Sequence, residues 1–69
     1  MSVRSRVSKN VQRIRREKNL SQEELAHRAD IHQTYLSGVE NGKRNPSILV
    51  VERIANALGV DISEIFKAG

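Results

Sequence analysis

One frame recurs three times along the chain: an apolar residue, a polar residue, and a second apolar residue four positions after the polar one. It stands as Leu20-Ser21…Leu25, as Ile31-His32…Leu36 and as Val60-Asp61…Ile65. This is the spacing of a hydrophobic staple, in which the residue before a helix packs against one in its first full turn. Each frame therefore fixes a helix start. Ser21-Gln22-Glu23-Glu24 adds a capping box, with Ser21 on the Glu24 amide and Glu24 reaching back, and Glu64 offers the same to Asp61.

The remaining helices follow from punctuation and periodicity. The spacing predicts a first helix over about 7–18, with Val7, Val11 and Ile14 inward, closed by Asn19, a residue that tolerates the left-handed conformation. A second covers 22–29 and a third 33–41, ended by Gly42. Pro46-Ser47 opens a fourth, whose inward set is Ile48, Val51, Ile54, Ala55 and Leu58, and Gly59 stops it. A short fifth runs from about 62 to 66. No segment alternates apolar and polar residues long enough to form a strand. The fold class expected is all-α, a compact five-helix bundle forming a single domain over 1–69 with its core at about 7–66. A domain of this size buries only about 60% of its unfolded surface, so that core must be economical.

Composition removes several function classes. The chain has no cysteine, which excludes a disulfide framework and thiolate metal sites and fits a reducing cytoplasm. The segment M-S-V-R-S-R-V-S-K-N lacks the apolar stretch of a secretory signal, and no run is long enough to span a bilayer. His27 and His32 lie on different elements without a third ligand, so no metal is expected. A chain of 69 residues offers little room for a catalytic pocket, so neither an enzyme, a cofactor nor a small-molecule ligand is expected. The net charge of +4 favours a polyanionic partner, with Lys and Arg crowded over residues 4–18 and returning at Lys43 and Arg44.

The second and third helices are separated by too few residues to lie antiparallel comfortably, and such a connection suits the steep crossing of a helix-turn-helix. Ala26 then lets the two approach, and Asp30 supplies the left-handed residue of the turn. With Leu25, Ile31, Leu36 and Val39 inward, the third helix turns His32, Gln33, Thr34, Ser37 and Gly38 outward. A face needed only for solubility is built from Glu, Lys and Arg, which are better helix formers.

The segment L-S-Q-E-E-L-A-H-R-A-D-I-H-Q-T-Y-L-S-G-V-E-N-G-K-R-N-P-S, followed by R-I-A-N-A-L-G-V, resembles the phage repressor and Cro family of helix-turn-helix DNA-binding proteins. The resemblance runs from about Val7 to Phe66. T-Y-L-S-G-V-E and K-R-N-P-S are most similar to a narrower group, the controller proteins of restriction–modification systems. Three positions depart from the family pattern: Asp30 and Asn19 stand where it often has Gly, and His32 where it has a capping Ser, Thr or Asp.

The resemblance implies a lambda-repressor-like domain acting as a homodimer on double-stranded DNA, at a palindromic operator, in the bacterial cytoplasm and nucleoid. RNA polymerase is left open as a further partner. Gln33, Thr34 and Ser37 are the base-reading candidates, because Gln offers a paired donor and acceptor to adenine in the major groove. His32 is either a fourth reader or only the helix start. Tyr35 either touches DNA or packs on the second helix, and Gly38 either admits the DNA closely or is merely tolerated. Gln22, at a helix N-terminus, and Asn41, Lys43 and Arg44 after the third helix are the expected phosphate contacts. Arg15 and Glu40 are implied to form a structural ion pair fixing the reading helix. Leu49 and Val50 exceed what the core needs, and with Ile62, Ile65 and Phe66 are expected at the dimer interface. The specific role expected is a restriction–modification controller, ahead of a small phage or chromosomal repressor, with an antitoxin-type interaction module as the rival from another class.

Overall fold

Ser residues open three of the helices by accepting a backbone hydrogen bond: Ser2 from the Ser5 amide, Ser21 from Glu24 and Ser47 from Val50. The computed structural model describes residues 2–68. In chain order it contains α1 (Val3–Glu17), α2 (Gln22–Ala29), α3 (Gln33–Glu40), α4 (Ile48–Leu58) and α5 (Ile62–Ile65), with no strand among the described residues. Met1 and Gly69, the ends of the expected domain, lie outside the described residues. The all-α class and the helix-turn-helix of α2 and α3 are as the sequence indicates. Helix α1 begins a turn before Val7, because the Ser2 cap starts the helix ahead of the apolar stripe.

Asn19 and Asp30 both adopt left-handed backbone, at φ 58° and 57°, and so turn the chain sharply after α1 and α2. In the second turn the Ile31 amide bonds back to the Ala26 carbonyl at 3.0 Å. Arg53 of α4 braces that turn, donating through Nη2 to the Asp30 carbonyl at 2.7 Å and to Oδ2 at 3.1 Å.

Helix α2 packs on α3 and α4, while α1 packs on α3, α4 and α5. The core between them is made by Val7, Val11, Ile14, Leu25, Leu36, Val39, Val51, Ile54, Leu58 and Ile65, with buried Ala26, Ala29 and Ala55. Full burial of each large aliphatic side chain contributes about 1.5–3 kcal/mol. Asn10 is also buried, on the same stripe as Val7, Val11 and Ile14. Its Nδ2 donates to the Ile65 and Lys67 carbonyls, both at 2.8 Å. The first ends a helix too short to satisfy it and the second lies in the segment beyond, so Asn10 ties the C-terminal segment to α1.

Four local expectations are corrected. Glu24 does not reach back to Ser21 but pairs with Arg28 at 3.0 Å, and Glu64 pairs with Lys67 just past α5 at 3.2 Å, since each carboxylate meets a cation three or four residues on. Ile48 is 60% exposed rather than inward, because the buried stripe of α4 begins a turn later at Val51. Ile65 cannot belong to a dimer surface: it is completely buried, as the staple with Val60 demands. Leu49 is 69% exposed, whereas Val50, Ile62 and Phe66 are half-buried against the core.

Candidate nucleic-acid interface

Helix α3 is divided by its own periodicity. Leu36, Val39 and Glu40 are buried, Gln33 and Thr34 are exposed, and Ser37 and Gly38 lie between. Its outward face is one wall of an open groove lined by Gln22, Gln33, Thr34, Ser37, Gly38, Asn41, Lys43 and Arg44. The groove gathers residues from the start of α2, the length of α3 and the loop that follows. It thus unites the sequence-expected DNA contacts except for His32 and Tyr35. His32 starts α3 without a side-chain capping bond and lines a separate depression with Ala26, His27, Asp30 and Ile31. Tyr35 is half-buried and packs against the core.

The loop is folded back along α3 by backbone hydrogen bonds. The Gly38 carbonyl accepts from the amides of Lys43 at 2.8 Å and Arg44 at 3.0 Å. Asn41 Oδ1 also accepts from the Lys43 amide, at 3.2 Å. Two cationic side chains are thereby set beside the polar face of the helix.

Beneath this surface lies the Arg15–Glu40 pair. The guanidinium is bidentate, with Nε on Oε2 at 2.8 Å and Nη2 on Oε1 at 2.9 Å. Its Nη1 donates to the Leu20 carbonyl at 2.8 Å, tying in the turn that precedes α2. The Glu40 side chain is only 2% exposed and that of Arg15 12%. Hydrogen bonding to Glu40 raises the Arg15 pKa above the ordinary arginine value against burial, which lowers it, and the Glu40 charge adds to the rise. Gln22 joins the same carboxylate through Nε2 at 3.2 Å. One N–H of that amide is therefore committed to holding α2 against α3, a link for which the sequence carries no pattern. The Glu24 amide is taken by Ser21, which leaves the Gln22 and Glu23 amides at the start of α2 without a partner inside the helix and able to face an anion.

This arrangement fits a duplex. A helix of eight residues is about 12 Å long, close to the width of the major groove. Gln33, Thr34 and Ser37 on its outer face have the donors and acceptors that base edges require, and Lys43, Arg44 and the α2 N-terminus have the charge and free amides that suit phosphates. No cluster able to hold a metal ion occurs among the described residues. Sequence reasoning missed Asn10 and Arg53. A polar residue in the apolar register of α1 is the signal that marks Asn10, whereas nothing in the sequence pairs Arg53 with Asp30.

Known proteins share this frame. Residues 11–65 match the helix-turn-helix family. The chain is 45% identical over 65 residues to the HTH-type transcriptional regulator y4dJ of Sinorhizobium fredii, an alignment spanning 94% of this chain and 84% of that protein. It is 42% identical over 66 residues to control protein C.MunI of a Mycoplasma species, spanning 94% and 89% of the two chains. The crystal structure of the restriction–modification controller protein C.AhdI from Aeromonas hydrophila superposes with a TM-score of 0.88 at 33% identity, covering 91% of this chain and 96% of that one. With a helix-turn-helix, a basic loop beside its second helix and these relatives, the chain belongs to the helix-turn-helix family of DNA-binding transcriptional regulators.

Proposed function

We propose that this regulator binds a two-fold symmetric operator as a homodimer and sets the transcription of restriction and modification genes. The observation that carries the reading is the single groove in which Gln33, Thr34 and Ser37 stand beside Lys43 and Arg44. It separates two tasks on one surface: α3 reads base edges, and the loop with the α2 N-terminus grips the backbone. Likeness to C.MunI and C.AhdI supports the controller role. The work is binding rather than catalysis, done on the nucleoid in the cytoplasm, and RNA polymerase is the second partner a promoter-bound regulator would meet. Regulation follows protein concentration and competition for the promoter.

The dimer face in this reading is made by Ile48 and Leu49, the exposed apolar residues at the start of α4, with Val50, Ile62 and Phe66. Helix α5 packs on α4, so these residues lie on neighbouring elements. Two-fold pairing of this face would present two α3 helices to half-sites about one helical turn apart.

Selection from randomised duplex DNA yields the operator, and Gln33→Ala then tests the division of labour. The variant should lose about 1–3 kcal/mol on the operator, concentrated at one or two base pairs of each half-site, and little on random DNA. Equal weakening on both DNAs would show that this face is not a reader.

A further inference from the structure

Gly38 is the residue of the groove whose presence the backbone does not explain. The left-handed glycines are Gly42 and Gly59, at φ 79° and 72°, whereas Gly38 lies within the regular turns of α3. Any residue adopts that conformation, and nearly every other one forms a helix more readily than Gly. What Gly38 supplies is space. A β-carbon placed on it falls 2.6 Å from Cγ of Arg44, and 3.6 Å from both Cβ and Nε of the same side chain. Non-bonded carbons rest at about 3.5–4.0 Å, so the first of these distances is deep in repulsion. At Gly42 and Gly59 the same β-carbon meets nothing.

We infer that Gly38 is a positioning residue for DNA binding: its missing side chain is the seat in which the Arg44 stem lies across the reading helix. Three features act together. The Arg44 amide is tied to the Gly38 carbonyl at 3.0 Å, which fixes the root of the side chain beside its seat. The stem then crosses the helix where a methyl group would stand, and Nε follows close over the same point. The stem is thereby laid along α3 on the groove side, and the side chain stays exposed there, its charge open to a ligand. Because Cγ is near the root of the side chain, relief of a clash there cannot come from bending the tip. The whole side chain must rotate away and carry its charge out of the groove. The inference rests on the DNA-binding reading of this groove and adds to it the means by which a loop arginine is preorganised.

The test is a cycle of Gly38→Ala, Arg44→Ala and the double variant, titrated with operator and with random duplex across a salt series. Gly38→Ala removes no charge, yet it should behave like Arg44→Ala. Both DNAs should be bound about tenfold more weakly or worse, as for the loss of a charged hydrogen bond. The slope of log affinity against log salt should flatten by about 0.9 for each protomer on the DNA. The double variant should bind within about twofold of Arg44→Ala, since the methyl group then has nothing to displace. It also shows whether α3 tolerates the methyl group when no arginine opposes it. The melting temperature of Gly38→Ala should not fall below that of the wild type, because Ala is the better helix former. Wild-type affinity and slope in Gly38→Ala would overturn the inference. So would an equal loss on adding Gly38→Ala to Arg44→Ala, which would mean that the methyl group meets the DNA itself. If instead Arg44→Ala leaves both affinities intact, the DNA reading of the groove fails first and the seat has no function.

Discussion

Glu40→Ala is the substitution that tests the architecture beneath the outer face of α3 most directly. The carboxylate it removes is 2% exposed and accepts from Arg15 Nε at 2.8 Å, Arg15 Nη2 at 2.9 Å and Gln22 Nε2 at 3.2 Å. Breaking a buried pair from one side costs about 3–5 kcal/mol, because the remaining charge stays desolvated without its partner. Here the remaining guanidinium keeps its bond to the Leu20 carbonyl and is 12% exposed, so water reaches part of it. Those two features place the cost at the lower end, about 3 kcal/mol. A chain of 69 residues has a total stability of about 3–10 kcal/mol, so the loss is a large share of it. At about 4–8 °C per kcal/mol for a domain of this size, the melting temperature should fall by roughly 12–24 °C. Circular dichroism without DNA measures this, and an Arg15→Met/Glu40→Leu double variant should recover part of the loss by removing both charges. A Glu40→Ala melting temperature within the few degrees of an ordinary surface substitution would falsify the argument that this pair joins α1 to α3.

Two further outcomes follow from α5 and α4. Asp61 accepts from the Ser63 amide at 2.8 Å, and this bond, aided by one with the Ser63 side chain, holds its carboxyl below the ordinary value of 3.8. A depressed folded value means stabilisation that is present above the unfolded value and lost as pH falls through the folded one, so the window lies below about pH 4. Asp61→Asn, which caps equally without titrating, should lose less melting temperature than the wild type over that window, and identical acid losses would refute the assignment. Leu49→Glu should convert a dimer into a monomer in sedimentation at micromolar concentration, because it places a charge on the apolar face at the start of α4. A wild type that is strictly monomeric, with or without DNA, removes this interface from the mechanism.

What could be read from the residues beforehand divides along physical lines. The starts of α2, α3 and α5 were legible because a staple is local: Leu20, Ile31 and Val60 each specify a contact within their own helix turn. The start of α1 was not, since Ser2 caps it without an apolar partner to mark the frame. Periodicity marks the inward face of α4 but not its depth, so it cannot tell Ile48, which is exposed, from the buried residues a turn further on. The sequence offers Ile65 two roles, staple and interface, that a single buried side chain cannot fill together. The candidate site was legible as composition, in the short polar residues of α3 and the cations after it. Of the contacts that brace it, the Arg15–Glu40 pair is implied by the family resemblance, but those of Gln22, Arg53 and Asn10 are not. Arg53 to Asp30 and Asn10 to Ile65 join positions distant in the chain, and hydrogen bonds of that range leave no local spacing.

The same division explains why α3 has the face it has. By local criteria it is the weakest of the longer helices. It has eight residues, too few to be stable alone. His32 makes no capping bond, which forgoes about 1 kcal/mol relative to Ser or Asp. Gly38 costs about as much again against Ala. Glu40 stands in the last turn, where the helix dipole disfavours a negative charge and no basic residue of the helix answers it. Each deficit is met from outside. Leu36 and Val39 are buried among the other helices, worth about 1.5–3 kcal/mol apiece. Arg15 neutralises Glu40 from α1, and the amides of Lys43 and Arg44 take up the Gly38 carbonyl. A helix held in this way does not need its exposed residues for its own stability. Thr34, Ser37 and Gly38 are therefore free to be poor helix formers, and what the groove binds, rather than helix propensity, can decide which residues stand beside Gln33.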